Sequence, residues 1–183
     1  MTNKGKYYES QFEEATIELL HELHWQYAFG DDIHRKYTDP LIEEDLRNFL
    51  AVQYKNKNLT TSEMDSIVAN LRNTGGQNDY YALRNAFLLY RDGYDFAYSD
   101  GRDNPFRLEY IDFEHPDHNI FRCVNQFVME QGRENRRPDI LLFINGIPVC
   151  IIELKNPTKQ NATIRDAHTQ ICTRYMRDIP ALL

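Results

Sequence analysis

Three charged residues lie at the ends of two apolar segments in the last third of the sequence. Asp139 comes directly before Ile140–Ile144, and Glu153 and Lys155 close the apolar run that begins at Ile147. Glu153 and Lys155 are two residues apart, so on a strand both side chains point to the same face. Burying two acids and an amine is costly unless they pair with each other or hold a metal ion. These residue types and spacings therefore indicate a candidate site.

Two carboxylates brought close together repel each other, which favours a divalent cation between them. Oxygen ligands without clustered Cys or His favour Mg²⁺ over zinc. Such an ion can polarise a phosphoryl oxygen and lower the pKa of an attacking water, while Lys155 positions that water or stabilises developing negative charge. The reaction class that fits is metal-assisted phosphodiester hydrolysis. The alternative is that Glu153 and Lys155 form a simple surface ion pair at a strand end.

Asn145 and Gly146 separate the two apolar runs and predict a β-hairpin. A plain two-residue turn with an unbroken ladder would place Asp139 and Glu153 on opposite faces of that hairpin. A type I turn followed by Gly146 in the left-handed conformation adds a bulge and places Asp139 opposite Glu153. We therefore predict this bulge, or an equivalent shift near Asp139, because the metal site needs both carboxylates on one face.

Hydrophobic periodicity predicts helices in the first part of the chain and strands after it. The predicted helices are Glu9–Trp25, a second capped by Thr38 or Asp39 with Pro40 in its first turn, a third opened by Thr61 or Ser62, and Asp79–Arg91, which Gly93 ends. The remaining predicted segments are a loop at Asn73–Asn78, strand-like runs at Phe106–Phe113 and Ile120–Glu130, a polar, basic loop at Gly132–Arg137, and a last helix from near Thr163 to before Pro180.

This order of elements predicts an α+β fold with a central mixed or mainly antiparallel sheet flanked by helices. We expect one domain over residues 1–183, which a chain of this length can form. Residues 1–104 would be its mainly helical N-terminal portion. Residues 105–183 would be a strand-rich core with the final helix.

The net charge of −7 argues against a chain that coats nucleic acid by bulk electrostatics. The charge is uneven, since residues 1–120 carry 12 basic and 22 acidic side chains and residues 121–183 carry 9 and 6. Within the basic part, Arg133, Arg136 and Arg137 lie next to the proposed site. They are candidates for contact with DNA phosphates, or belong to an ordinary solvated loop.

No apolar run approaches the roughly 20 residues needed to span a bilayer. The segment Met1–Tyr8 is polar and lacks the apolar core of a secretory signal. We therefore expect a cytoplasmic protein with no membrane partner.

The sequence resembles a known nuclease family. Pro138, Asp139 and the Glu153-Leu154-Lys155 triplet are similar to the PD-(D/E)xK signature, and the wider run RPDILLFINGIPVCIIELKNPT resembles the N-terminal nuclease domain of the R (restriction) subunit of type I restriction-modification enzymes. Other segments that resemble this family are Phe12-Glu13, Ile111-Asp112-Phe113, Asn125-Gln126-Phe127, Gln170 and Tyr175. The segment from about residue 33 to residue 104 matches no motif of the family.

The resemblance implies a restriction-endonuclease-like core and assigns roles to the matching residues. Asp139, Glu153 and the Leu154 carbonyl would hold Mg²⁺, and Lys155 would be the catalytic lysine. Glu13 would match an additional acidic residue that related nucleases direct at the metal. Gln170 and Tyr175 would match a Gln and a Tyr that lie after the lysine on one helix face.

The family commonly separates that Gln and Tyr by three residues, whereas four separate Gln170 from Tyr175 here. On an ideal α-helix, residues five apart point about 140° away from each other. The spacing therefore predicts that Arg174, rather than Tyr175, lies on the face of Gln170.

The resemblance also implies the wider function. The chain would be the Mg²⁺-dependent, DNA-cleaving part of an R subunit, and helicase-like motor domains absent from this sequence would translocate double-stranded DNA by ATP hydrolysis. This sequence has no GxxxxGK[ST] phosphate-binding loop, so we expect it neither to bind nor to hydrolyse ATP. Methylation and specificity subunits would be the partners. The alternatives are a stand-alone nuclease of the same motif class and a catalytically silent domain that docks DNA or a motor.

Overall fold

The computed structural model describes residues 9–74, 80–155 and 163–182. The helices are α1 (Glu9–Glu22), α2 (Glu43–Gln53), α3 (Thr61–Thr74), α4 (Tyr80–Asp92), α5 (Ile164–Thr169), which continues through a π-helical turn (Gln170–Tyr175), and α6 (Met176–Asp178). The strands are β1 (Gln26–Phe29), β2 (Tyr94–Phe96), β3 (Phe106–Leu108), β4 (Phe121–Asn125), β5 (Met129–Gln131), β6 (Glu134–Arg136), β7 (Ile140–Ile144) and β8 (Ile147–Ile152). The predicted α+β class is confirmed.

A four-stranded mixed sheet forms the centre of the molecule, in the order β1-β4-β7-β8. β1 runs parallel to β4, whereas β4, β7 and β8 are antiparallel neighbours. β2 pairs with β3 and β5 pairs with β6 in separate two-stranded sheets. The central sheet therefore combines one strand from the N-terminal part of the chain with three from the C-terminal part.

The two faces of this sheet pack against different helices. Cys123 and Ile140 form a buried cluster with Leu20 of α1. Their immediate neighbours in sequence, Val124 and Leu141, belong to another buried cluster that includes residues of the C-terminal helix. Because successive strand residues point to opposite faces, the sheet lies between α1 and the C-terminal helix. A third cluster joins α2 and α3 to the β2–β3 hairpin.

Several predicted boundaries were wrong, and at β1 the reason is that strand pairing outweighs local helix preference. α1 ends at Glu22, and the next residues form β1, which exists because it pairs with β4. α2 begins at Glu43, since the Asp39 side chain accepts a hydrogen bond from the Leu41 N–H and closes a turn before the helix. The predicted loop at residues 132–137 is largely strand β6.

Other boundaries are confirmed. α3 begins at Thr61, Gly93 follows α4 with a positive φ of 64°, and Thr163 caps α5 in a capping box with Asp166. The predicted loop at residues 73–78 lies mostly outside the described residues. No described helix is long and apolar enough to cross a membrane.

Candidate active site

The β7–β8 hairpin brings Asp139 and Glu153 together by a register shift equivalent to the predicted bulge, although the predicted turn type was wrong. Ile144 pairs with Ile147 across a two-residue turn in which Asn145 and Gly146 both have positive φ. The register then shifts by one residue within the ladder, because Phe143 pairs with Pro148 but Leu142 pairs with Cys150. Val149 is thus the bulged residue. Beyond the bulge Ile140 pairs with Ile152, so the next pair outward is Asp139 and Glu153.

Glu153 lies in a network of hydrogen bonds that joins β8 to the C-terminal helix. Its side chain is only 1% exposed. Oε1 accepts a hydrogen bond from the Tyr175 hydroxyl. Oε2 accepts hydrogen bonds from Gln170 Nε2 at 2.8 Å and from Lys155 Nζ at 3.4 Å. Lys155 Nζ also donates to Gln170 Oε1 at 2.9 Å. A buried carboxylate held by three donors is not the surface ion pair of the alternative interpretation.

Burial is the main influence on the titration of this site. It raises the pKa of the Glu153 carboxyl, and the nearby Asp139 carboxylate raises that pKa further. The Tyr175 hydroxyl and the Lys155 ammonium act in the opposite direction, because they stabilise the ionised form. Burial and the adjacent Glu153 carboxylate raise the pKa of Tyr175, so this phenol is a hydrogen-bond donor at neutral pH.

The prediction that Tyr175 points away from Gln170 was wrong, because residues Gln170–Tyr175 form a π-helical turn. The N–H of Met176 accordingly donates to the carbonyl of Ile171, five residues earlier. This wider turn brings residues five apart onto one face, and Gln170 Nε2 donates to the Tyr175 hydroxyl at 2.7 Å. The π turn thereby absorbs the extra residue between Gln170 and Tyr175.

The arrangement of Asp139, Glu153 and Leu154 suits a hard divalent cation. Asp139 Oδ2 accepts a hydrogen bond from the Leu154 N–H at 2.7 Å, which fixes the Asp139 side chain next to the end of β8. Burial is the largest cause of the raised pKa of Glu153, and the Asp139 carboxylate is close enough to raise that pKa further. Carboxylate and backbone carbonyl oxygens are the ligands that Mg²⁺ accepts.

Glu13 lies beside the end of β4. Its Oε1 accepts from Asn125 Nδ2 at 3.0 Å and from Gln126 Nε2 at 3.1 Å. Gln126 has a positive φ of 57°, and its N–H donates to the Asp139 carbonyl at 3.3 Å. Glu13 is therefore linked to the Asp139 backbone through Gln126, an arrangement that sequence reasoning did not find.

The three candidate DNA-contact arginines differ in their surroundings. Arg133 is exposed in the turn between β5 and β6. Arg136 forms ion pairs with Glu134 and with the buried Asp178, so much of its charge is compensated. Arg137 is exposed and lines a cavity of about 710 Å³ beside the network.

That cavity is polar and basic, and two of its arginines were not predicted. It is lined by Val128, Asn135, Arg136, Arg137, Gln170, Arg174, Tyr175 and Arg177. Arg174 and Arg177 are three residues apart on the C-terminal helix, so they lie on neighbouring positions of one face. The spacing of four residues from Gln170 to Arg174 and three from Arg174 to Arg177 is the signal that could have identified both as residues of this cavity. The cavity therefore joins the Gln170–Tyr175 pair to a group of guanidinium groups.

Comparison with known proteins identifies the family to which this chain is similar. A family model described as the type I restriction enzyme R protein N terminus matches residues 6–183. The chain is 30% identical over 184 residues to the type I restriction enzyme HindI endonuclease subunit of Haemophilus influenzae, covering 95% of this chain and 17% of that protein. It is 32% identical over 178 residues to the putative type I restriction enzyme MjaIXP endonuclease subunit of Methanocaldococcus jannaschii, covering 93% of this chain and 17% of that protein.

The chain thus spans 17% of the length of each of these two relatives. The family model, by contrast, matches nearly all of the chain. The resemblance to this family is confirmed, and this chain belongs to the type I restriction enzyme R protein N-terminal family.

Proposed function

We propose that this chain is the Mg²⁺-dependent endonuclease domain of a type I restriction R subunit, and that it hydrolyses phosphodiester bonds of double-stranded DNA. Cleavage would follow ATP-driven translocation by motor domains that are not part of this sequence. The observation that carries the proposal is the buried Glu153 carboxylate, paired across the hairpin with Asp139 and bonded to Lys155. Family membership supports the same function.

Asp139, Glu153 and the Leu154 carbonyl would hold the cation, which supplies polarisation of a phosphoryl oxygen when it is bound. Lys155 would donate a hydrogen bond to the attacking water or to the developing negative charge on the phosphate. Gln170 forms hydrogen bonds with both Lys155 and Glu153, so it fixes the positions of these two side chains relative to each other. Tyr175 orients the Glu153 carboxylate through its hydroxyl.

The DNA strand would approach through the basic cavity beside this network. Arg137 and Arg174 are exposed there, whereas Arg136 and Arg177 both pair with Asp178. Exposed guanidinium groups bind phosphate oxygens without reading sequence. Such contacts fit an enzyme whose recognition specificity resides in another subunit, and the methylation and specificity subunits would be its partners.

The test is DNA cleavage by the assembled restriction complex in the presence of Mg²⁺ and ATP. Asp139→Ala and Lys155→Ala should each abolish cleavage, while DNA-dependent ATP hydrolysis by the complex is retained. Lys36→Ala, at an exposed lysine, is the matched control and should cleave like the wild type. Unchanged cleavage in both site variants would favour the alternative that this chain is a catalytically silent domain that docks DNA or a motor. Cleavage by this chain alone, without ATP or other subunits, would instead favour a stand-alone nuclease.

A further inference from the structure

A second cluster of metal-ligating side chains lies outside the candidate active site. Asp112, His115 and His118 each offer one ligand atom, and these three atoms all lie within 4.8 Å of one another. Within residues 9–74, 80–155 and 163–182, no other group of three His, Cys, Asp or Glu side chains meets this criterion. The cluster is built on the short segment between β3 and β4.

Both imidazoles already lie beside the Asp112 carboxylate, each next to a different oxygen. Asp112 Oδ1 lies 3.7 Å from His115 Nδ1, and Asp112 Oδ2 lies 3.1 Å from His118 Nδ1. Ligand atoms around a tetrahedral ion with bonds of about 2.1 Å are roughly 3.4 Å apart. The three ligand atoms lie within 4.8 Å of one another, so the two stacked imidazoles would turn to bring them to this separation around one ion. His118 would bind as the tautomer that carries its proton on Nε2, because Nδ1 must be unprotonated to bind a metal.

The carboxylate of the cluster is held rigidly. Asp112 is buried, and its oxygens accept from Gln53 Nε2 at 3.0 Å and from the N–H groups of Glu114 and His115 at 3.1 and 2.8 Å. Such outer hydrogen bonds orient a ligating carboxylate before the metal arrives. The side chains of His115 and His118 are 60% and 51% exposed, so an ion can reach them and keep water in its remaining positions.

The segment itself is fixed by Asn119. Its amide donates to the carbonyls of Asp112 and Pro116 at 2.8 and 3.0 Å, and its Oδ1 accepts from Asn145 Nδ2 at 2.8 Å. Asn145 is in the turn of the β7–β8 hairpin, at the end opposite Asp139. Asn145 is six positions after Asp139 along this strand, which corresponds to about 20 Å. The cluster is therefore distinct from the candidate active site.

We propose that Asp112, His115 and His118 form a binding site for a divalent transition-metal cation, with Zn²⁺ as the preferred ion. Two imidazoles and one carboxylate are a typical ligand set for zinc, whereas Mg²⁺ prefers oxygen ligands alone. The ion would join the 3₁₀ turn Pro116–His118 to the buried Asp112 and so stabilise the link between β3 and β4. This site is independent of the proposed nuclease activity.

The test is a calorimetric titration of the purified protein with ZnCl₂, in buffer with excess Mg²⁺ to occupy oxygen-ligand sites. His115→Gln and His118→Gln should each weaken the His-dependent binding event by roughly tenfold or more. Each should also remove the rise in the thermal unfolding midpoint that Zn²⁺ produces in the wild type. His34→Gln, at another exposed histidine, should change neither measurement.

The His118 ring contacts the buried Asp112 carboxylate, so the rise that Zn²⁺ produces is measured in each variant from its own unfolding midpoint without added metal. Equal zinc affinity and stoichiometry in the wild type, His115→Gln and His118→Gln would overturn the proposal. Binding that persists in both variants would then belong to other groups, such as the exposed Cys150 and Cys172 or the Asp139–Glu153 pair.

Discussion

The hydrogen bond from Tyr175 to Glu153 makes a prediction that the structure allows to be worked out in detail. Tyr175 is 2% exposed, and its ring packs in the cluster that includes Val124 and Phe143. Tyr175→Phe keeps this packing and removes only the hydroxyl. The variant therefore measures what the hydroxyl contributes to holding the buried carboxylate.

The expected magnitude depends on the charge of Glu153. A hydrogen bond to a charged group contributes about 1.5–3 kcal/mol, whereas one between neutral groups contributes about 0.5–1.5 kcal/mol. With the Glu153 side chain 1% exposed, water cannot readily replace the missing donor. Tyr175→Phe should therefore lower the free energy of unfolding by about 2 kcal/mol in the wild type and by about 1 kcal/mol in a Glu153→Gln background.

Urea denaturation of the metal-free protein in EDTA at about pH 8, where carboxylates are ordinarily ionised, measures this double-mutant cycle. Tyr110→Phe is the matched control, because the Tyr110 hydroxyl is equally buried but donates to the neutral carbonyl of Ile67 at 2.9 Å. Tyr110→Phe should lower the free energy of unfolding by the same amount in the wild type and in the Glu153→Gln background. An equal cost of Tyr175→Phe with and without the Glu153 carboxylate would refute the reasoning.

Three further predictions concern the hairpin turn, an ion pair and the basic cavity. Asn145→Ala leaves the partly buried Ile120 N–H without its side-chain acceptor and removes two further hydrogen bonds of the buried Asn145 amide. Urea denaturation should therefore show a loss of about 3–6 kcal/mol in the free energy of unfolding, against under about 0.5 kcal/mol for Asn135→Ala at an exposed position. The Arg102 guanidinium lowers the pKa of Glu63 to about 2 in the folded protein. The Glu63 carboxylate therefore stabilises the fold above its ordinary pKa, and this contribution is lost as the pH falls through the lowered pKa of the folded state. Glu63→Gln should flatten the dependence of the unfolding free energy on pH between about pH 5 and pH 2. Arg174→Gln should weaken DNA binding by the assembled complex and reduce the slope of log affinity against log salt by about 1, and an unchanged slope would contradict the phosphate contact.

Local signals were sufficient for much of the architecture. The Asn145–Gly146 pair predicts a hairpin because Asn and Gly tolerate positive φ, and both residues adopt it. Gly146 is further restricted, since an added Cβ would lie 2.1 Å from the Ile42 carbonyl oxygen. The start of α5 at Thr163 and the glycine after α4 are equally local, and the sequence predicted a helix start near Thr163 and a helix end at Gly93.

The surroundings of the site residues could be predicted only in part. The types and spacing of Asp139, Glu153 and Lys155 identified a candidate site, because charged residues beside apolar strands require partners. Sequence reasoning did not find the contact of Glu13 with Asn125 and Gln126, or the position of Arg174 in the cavity. These contacts join residues that are far apart in the chain or on different elements, and no local pattern encodes them.

The sequence by itself determined which side chains are available for chemistry, the hairpin that carries them and the α+β class. The tertiary structure decided the shift at Val149, the parallel strand β1 and the π turn at Gln170–Tyr175. The physical reason is that bulges, edge pairings and π turns are unfavourable or neutral as isolated segments. They form where packing against the rest of the molecule outweighs their local cost, and here that packing places Asp139 opposite Glu153 and Tyr175 against Gln170.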